Sequence, residues 1–268
     1  MNHWLRNGLI SGVLLFLAAP LLVVGGVSVN STKSLIFPPR GFSFQWYGEL
    51  FTRSEWLLPM ANSLGIACAA AAIASSIAIP IAYSLWRTGK GYHQFLFYLG
   101  LAPAVLPPVV IAISFLSFWA SIGAYGSIYA TILSHAILLV PFPLVTSLLG
   151  LRSIRSSVVE ASKTLGANES VVFITIVLPL IQPYLVAGYA FAFVFSLNEY
   201  IVSFMVSGFT VETLPIKIFN SLHYGYTPVM ACVTVLFVAL SALLFALVNR
   251  FGSLLQLLSS SAKVSAEP

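Results

Sequence analysis

The sequence predicts an all-α, polytopic membrane protein with six transmembrane helices and one short cytoplasmic helix between the fourth and fifth. Three observations carry that prediction. Of 268 residues, 59% are hydrophobic and 7% are charged, whereas soluble domains hold about a quarter charged residues. The mean hydropathy is +0.98. Six apolar runs lie near 9–29, 62–86, 95–119, 128–149, 180–206 and 228–249, each close to or above the roughly 18–20 residues that a helix needs to cross a bilayer. The few charges fall between these runs, apart from Glu199. Backbone groups in lipid find partners only within a helix or a closed barrel, so each run is expected to be helical. Together the runs exhaust the chain, which leaves one transmembrane domain over 1–268 and no separate soluble one.

The first run follows His3 and Arg6 and is too long for the roughly 7–15 residue core of a signal peptide, so it is read as a retained span. The segment 30–60 contains "FSFQWYGELFTRSEWLL" and reads as an amphipathic periplasmic cap, with Trp46, Tyr47 and Trp56 in the interfacial aromatic belt. Pro103, Pro107 and Pro108 should break the third span, and Pro141 and Pro143 the fourth, because proline removes a ladder donor. With the N-terminus in the cytoplasm, Arg6, Arg87, Lys90, Arg152, Arg155, Lys163, Arg250 and Lys263 lie inside. Lys33, Arg40, Arg53 and Lys217 are then outside, which satisfies the positive-inside rule and places both termini in the cytoplasm. The tail after Arg250 shows no motif and is expected to be disordered. The net charge of +5 is scattered and forms no basic face, so nucleic acid is not an expected partner. Cys68 and Cys232 should be small buried thiols, with neither a CxxC nor a metal spacing near them.

The loop 150–179 concentrates charge in "VVEASKTLGANESVVFITIVLP". Ser157 and Glu160 have the spacing of a capping box, and Gly166 can close the helix in the left-handed conformation. Within it, Val158, Ala161, Ser162 and Leu165 share a face by three-and-four spacing. Asn168 should cap the next helix, and Pro179 and Pro183 should bend the start of the fifth span. From residues alone the segment is either a well-capped connection or a docking element for a cytoplasmic partner.

Glu199 is the acid that falls within the membrane interior, where charge is costly and functional by default. Gly188, Ala192, Ser196, Glu199 and Ser203 align at helical spacing in a small, polar stripe that should face another helix or a cavity. Two readings stand for Glu199: a protonated acid bonded to a neighbouring helix, or an anionic contact on the path of a cationic substrate. His135 is expected to bond a neighbouring helix, with Ser134 or a backbone carbonyl as partner. The chain contains no Asp, no HExxH and no GxSG, so no catalytic residue and no metal site is assigned. No GxxxxGK[ST] loop occurs either, since "TGKG" around Lys90 lacks the earlier glycine. Any ATP must be hydrolysed by a partner.

Glu160-Ala161-Ser162, Gly166 four residues later, and Ile176, Leu178 and Pro179 together resemble the EAA loop of permease subunits from binding-protein-dependent ABC importers. Ser162 stands where the signature has a second alanine. The resemblance implies that the loop helix is a coupling helix. Glu160, Ala161 and Gly166, with Val158, Ser162 and Leu165, would then form the ATPase interface. "FPPRGFSFQWY", "LPPVVIAIS", "SHAILLVPFPLV" and "FSLNEYIVSF" through "ETLPIKIFNSL" resemble the spermidine/putrescine-type branch over nearly the whole chain. That branch implies a polyamine or a related small cationic or zwitterionic solute, with Glu199, Asn198, Ser196, Tyr200 and His135 on its path. It also implies two cytoplasmic ATPase subunits that bind ATP and Mg, a second and different permease, a periplasmic substrate-binding protein, and a bacterial inner-membrane location. Relatives of the branch usually carry two adjacent acids where this chain has Asn198 and Glu199, which leaves a monocationic or zwitterionic substrate open. A self-sufficient channel or secondary transporter is the alternative, and it leaves the loop motif without a role.

Overall fold

The computed structural model describes residues 3–89, 91–224 and 227–251. Lys90, Lys263 and the tail beyond Phe251 lie outside the described residues. Apart from one isolated antiparallel bridge between Asn30 and Phe42, the regular structure among the described residues is helical. In chain order the first helices are α1 (His3–Ser28), α2 (Gln45–Thr52), α3 (Ser54–Thr88), α4 (Tyr92–Val105), α5 (Pro108–Ser121), α6 (Ile128–Leu139) and α7 (Pro141–Arg152). They are followed by α8 (Ser156–Thr164), α9 (Glu169–Val172), a π-helical turn (Phe173–Val177), α10 (Leu178–Asn198), α11 (Ile201–Ser207), α12 (Leu214–Tyr224) and α13 (Val229–Phe251). Four stretches are each long and apolar enough to cross a membrane: α1, Glu55–Thr88 of α3, the continuous run Glu169–Asn198, and Val229–Arg250 of α13. The pairs α4/α5 and α6/α7 are bent by 106° and 41° and complete six spans if each pair counts as one.

The prolines explain why the two bends differ. Leu106 and Pro107 each precede a proline and take extended backbone, with ψ of 142° and 132°, because the α region is disfavoured before proline. Two extended residues in succession turn the chain sharply. Val140 also precedes a proline yet stays helical at φ −48° and ψ −39°, so α7 continues with only a modest kink. Pro179 and Pro183 remove two ladder donors from the run into α10, and the π-helical turn just before them is the irregularity that the helix adopts.

The described chain divides into two compact units at Ala61/Asn62, Glu212/Thr213 and Ser241/Ala242. In the first, Trp46 and Leu50 of α2 and Trp56 pack with Leu214, Val229, Met230, Cys232 and Val233 as a buried core. The tryptophans expected in an interfacial belt are core residues here. Trp46 buries its ring while its Nε1–H donates to the Asn30 carbonyl at 2.6 Å, which satisfies the polar end of an otherwise apolar side chain. Trp56 lies under the Lys217 ammonium, 5.7 Å from the ring centroid. Cys232 is buried, as expected, but Cys68, in the second unit, is exposed.

In the second unit, α10 packs closely along α7. A Cβ on Gly188 would sit 2.7 Å from the Pro143 Cα, and one on Gly150 would meet the Tyr184 ring at 2.8 Å. Small residues thus let the two helices approach, as membrane helices require in the absence of a hydrophobic drive between them. Ala112, Ala130, Val202 and Val206 form a further small core among α5, α6 and α11.

Candidate functional site

Helix α8 starts two residues earlier than its sequence suggests. Arg155, in extended conformation, is the capping residue and provides no side-chain cap. Ser157 therefore already lies inside the first turn, and the expected capping box with Glu160 does not form. The closing end is as the sequence implies. Gly166 has φ +84°; its N–H donates to the Lys163 carbonyl at 2.9 Å, and the Ala167 N–H to the Ser162 carbonyl at 3.1 Å. These two bonds are the paired closure of a Schellman motif.

The face presented by α8 differs in part from the expected one. Val159 and Ser162 are buried, and the Ser162 hydroxyl donates to the Val159 carbonyl at 2.7 Å. The side of α8 that carries Val159 and Ser162 thus turns inward. Val158, Glu160, Ala161 and Leu165 are exposed, with Leu165 exposed to 89%. The result is an apolar ridge of Val158, Ala161 and Leu165 beside an acidic side chain. Lys163 and Glu169 have structural partners. Glu169 pairs with Arg87, in the last turn of α3, and with Lys163 of α8 at 3.4 Å. Asn168 caps α9 as expected, its Oδ1 accepting the Val171 N–H at 2.9 Å.

The fifth span does not run unbroken from 180 to 206. It ends at Asn198, Glu199 turns extended with ψ 118°, and α11 restarts at Ile201. No proline or glycine marks this break. Its cause is the Glu199 side chain, whose Oε1 accepts the Val202 N–H and whose Oε2 accepts the Ser203 N–H, each at 3.0 Å. A carboxylate at a helix start meets free donors and the favourable end of the backbone dipoles.

His135 of α6 is buried against this break. Its Nδ1 bonds the Ser196 hydroxyl at 2.8 Å and its Nε2 the Ser203 hydroxyl at 2.9 Å. Nε2 also lies 3.6 Å from Glu199 Oε2. The partners anticipated for His135 are not the ones used, because the Ser134 hydroxyl accepts from Trp119 Nε1 at 2.7 Å. The ring instead ties α6 to both pieces of the fifth span. The polar stripe of Ser196, Glu199 and Ser203 does meet a neighbouring helix, although a helix break interrupts it.

Three broken spans meet at one cavity of about 670 Å³. Pro103, Leu106 and Pro108 line it from the α4/α5 break, Leu139 and Pro141 from the α6/α7 break, and Asn198, Glu199, Tyr200 and Ile201 from the α10/α11 break. Irregular backbone at membrane depth is tolerated where it borders a cavity, and discontinuous helices of this kind build transporter sites. Phe142 and Phe195 also line the space and stack on each other at 4.3 Å between centroids. Tyr200 stacks on Phe204 at 5.5 Å. Asn198 donates its amide N–H to the Val194 carbonyl at 2.8 Å. The cavity thus combines aromatic faces with one carboxylate, a pairing suited to an ammonium group. Sequence reasoning missed Phe142 and Phe195, since nothing distinguishes them among 20 phenylalanines.

The family described as "Binding-protein-dependent transport system inner membrane component" matches residues 76–255, a stretch that contains α8 and all three breaks. The chain belongs to this family. This permease is 30% identical over 246 residues to the spermidine/putrescine transport system permease protein PotC of Haemophilus influenzae, covering 92% of this chain and 95% of that protein. It is 33% identical over 221 residues to the putrescine transport system permease protein PotI of Escherichia coli, covering 80% and 78%. Its fold is similar to a chain of a bacterial alginate ABC transporter solved with an alginate pentasaccharide-bound periplasmic protein, at a TM-score of 0.70 and 16% identity over 92% and 93% of the two chains. It is also similar to a chain of the MetNI methionine ABC transporter in inward-facing form, at 0.63 and 20% over 73% and 94%. The permease is an inner-membrane transport component, and a self-sufficient channel or secondary transporter is not favoured.

Proposed function

We propose that this permease is one transmembrane half of an ATP-driven importer that carries a polyamine, or a related small cationic or zwitterionic solute, into a bacterial cell. A second, different permease completes the path, a periplasmic binding protein delivers the solute, and two cytoplasmic ATPase subunits bind ATP and Mg. Both termini and α8 lie on the cytoplasmic side, in keeping with the distribution of Lys and Arg.

The observation that carries the reading is the convergence of three broken spans on a cavity holding the Glu199 carboxylate. An ammonium group leaving water needs a counter-charge, and its methylene spacers need apolar walls. Glu199 supplies the first, while Phe142, Phe195 and the prolines supply the second. An ammonium over an aromatic face gains roughly 0.5–2 kcal/mol. The printed names of PotC and PotI add spermidine and putrescine as the solutes of relatives. His135 and Ser196 hold the break in place, and Asn198 and Tyr200 border the path. On the other side of the division of labour, the Val158, Ala161 and Leu165 ridge with Glu160 meets an ATPase groove, and Gly166 fixes its shape. ATPase closure then moves α8, and access to the cavity alternates.

Two measurements on tagged permease from native membranes test this reading. Wild type should copurify with an ATPase and a second permease, and Gly166→Arg should lose the ATPase. Glu199→Gln should assemble normally but lose uptake of labelled putrescine and spermidine. Full uptake in Glu199→Gln would sink the counter-charge role, and a lone wild-type oligomer would sink the importer reading.

A further inference from the structure

Between α8 and the cavity stands an irregular stretch of helix. The run Glu169–Asn198 carries any motion from the loop to Glu199, but it contains the π-helical turn Phe173–Val177. Such a turn widens the ladder and is a natural place for a helix to flex. Two contacts with α3 lie just before it and at its first residue. Arg87 pairs with Glu169, and one turn further along both helices the Tyr83 and Phe173 rings meet edge-on at 4.8 Å between centroids. The partners are spaced by four residues on each helix, so the contacts are successive rungs on matching faces. Further toward the cavity, the Tyr189 hydroxyl donates to the Cys68 carbonyl of α3 at 3.4 Å. Lys163, in the last turn of α8, fastens to the same Glu169 carboxylate at 3.4 Å.

We infer that Glu169 is a positioning residue that clamps the loop helix, the second span and the start of the fifth span into one moving body. Exposed ion pairs add little to folding, so this role lies in transmission. With the clamp in place, a displacement of α8 reaches α3 and α9 together, and the π-helical turn has no freedom to absorb it. Without the clamp, α8 still docks and the ATPase still turns over, but the displacement is dissipated before it reaches the cavity. The inference rests on the reading of α8 as the ATPase-docking helix.

The test uses the assembled complex in proteoliposomes with its binding protein and labelled putrescine. Glu169→Gln should keep the ATPase and the second permease bound and keep ATP hydrolysis, while solute moved per ATP falls roughly fivefold, the lower end of an allosteric coupling. In a background with Cys68 and Cys232 replaced, Arg87→Cys/Glu169→Cys joined by a short bis-maleimide should raise transport per ATP above that of the same variant left unjoined, because the cross-link restores the tie between α3 and α9, though not the Lys163 contact. An unchanged ratio in Glu169→Gln overturns the clamp. So does a cross-link that stops uptake, since the two spans must then move apart, and that arm decides even if Glu169→Gln assembles poorly. Failure of wild type to retain an ATPase is a different result, which removes the importer reading and the clamp with it.

Discussion

Two glutamates stand at the ends of one helical run and are held in opposite ways. Glu169 opens the run with its side chain exposed to 66% and is held by the side chains of Arg87 and Lys163. Glu199 follows the last residue of the run, is exposed to 12% and is held by the backbone N–H groups of Val202 and Ser203. The difference follows from solvent. At the membrane edge water shares in neutralising a charge, and flexible cations suffice. In the interior each acceptor oxygen needs a fixed donor, and here a break in the helix frees two. A carboxylate that shapes backbone is a structural part, whereas one that pairs with side chains ties neighbouring segments together without setting their shape.

The sharpest way to break this comparison is to remove each carboxylate in turn. Glu199→Ala leaves the Val202 and Ser203 N–H groups without their acceptor in a largely dry site, at roughly 1–3 kcal/mol each. The detergent-solubilised variant should show a clearly lowered melting temperature. Glu169→Ala exchanges an exposed ion pair for water and should melt with wild type. Equal losses would mean that Glu199 is no more built into the fold than Glu169.

A smaller effect is expected at His135, which bridges Ser196 and Ser203 without touching backbone. His135→Ala deletes two hydrogen bonds worth roughly 0.5–1.5 kcal/mol each. Both serines can turn toward helix carbonyls, as Ser203 already does toward Glu199 O at 3.2 Å. Stability should therefore fall less than in Glu199→Ala, while uptake falls with it because the break loses its brace. A variant that melts lower than Glu199→Ala would assign the integrity of the break to the histidine.

What was legible in the sequence follows local rules. Hydropathy marks the long apolar helices, the prolines mark two of the three breaks, and Gly166 and Asn168 mark the helix ends they do close. The third break was hidden because Glu199 makes it through donors three and four residues ahead, within a stretch whose pattern also suits an unbroken helix. Periodicity separates the faces of α8 without saying which one turns inward: it groups Ser162 with Val158, Ala161 and Leu165, whereas Ser162 buries with Val159. Trp46 and Trp56 carry the same amphipathic signal in a membrane belt as in a core, and only the packing with Leu214 and Val229 decides. The Arg87 pair to Glu169 joins distant segments that no spacing rule links.

The smallest expected effect lies in the loop and sharpens the comparison from the other side. Gly166 needs φ +84°, and a Cβ there would meet nothing within 4 Å, so Gly166→Ala is penalised by backbone conformation and by nothing else. An L-residue in the left-handed region costs about 1–2 kcal/mol, a strain that the exposed helix end can relieve by fraying. Amide exchange at residue 167, whose N–H bonds the Ser162 carbonyl, should quicken in Gly166→Ala, with no change in the melting temperature. Gly166→Asn should exchange more slowly than Gly166→Ala, because asparagine tolerates this conformation better. If Ala and Asn behave alike, the closure of α8 does not depend on the left-handed residue, and the ridge of Val158, Ala161 and Leu165 owes its presentation to the burial of Val159 and Ser162.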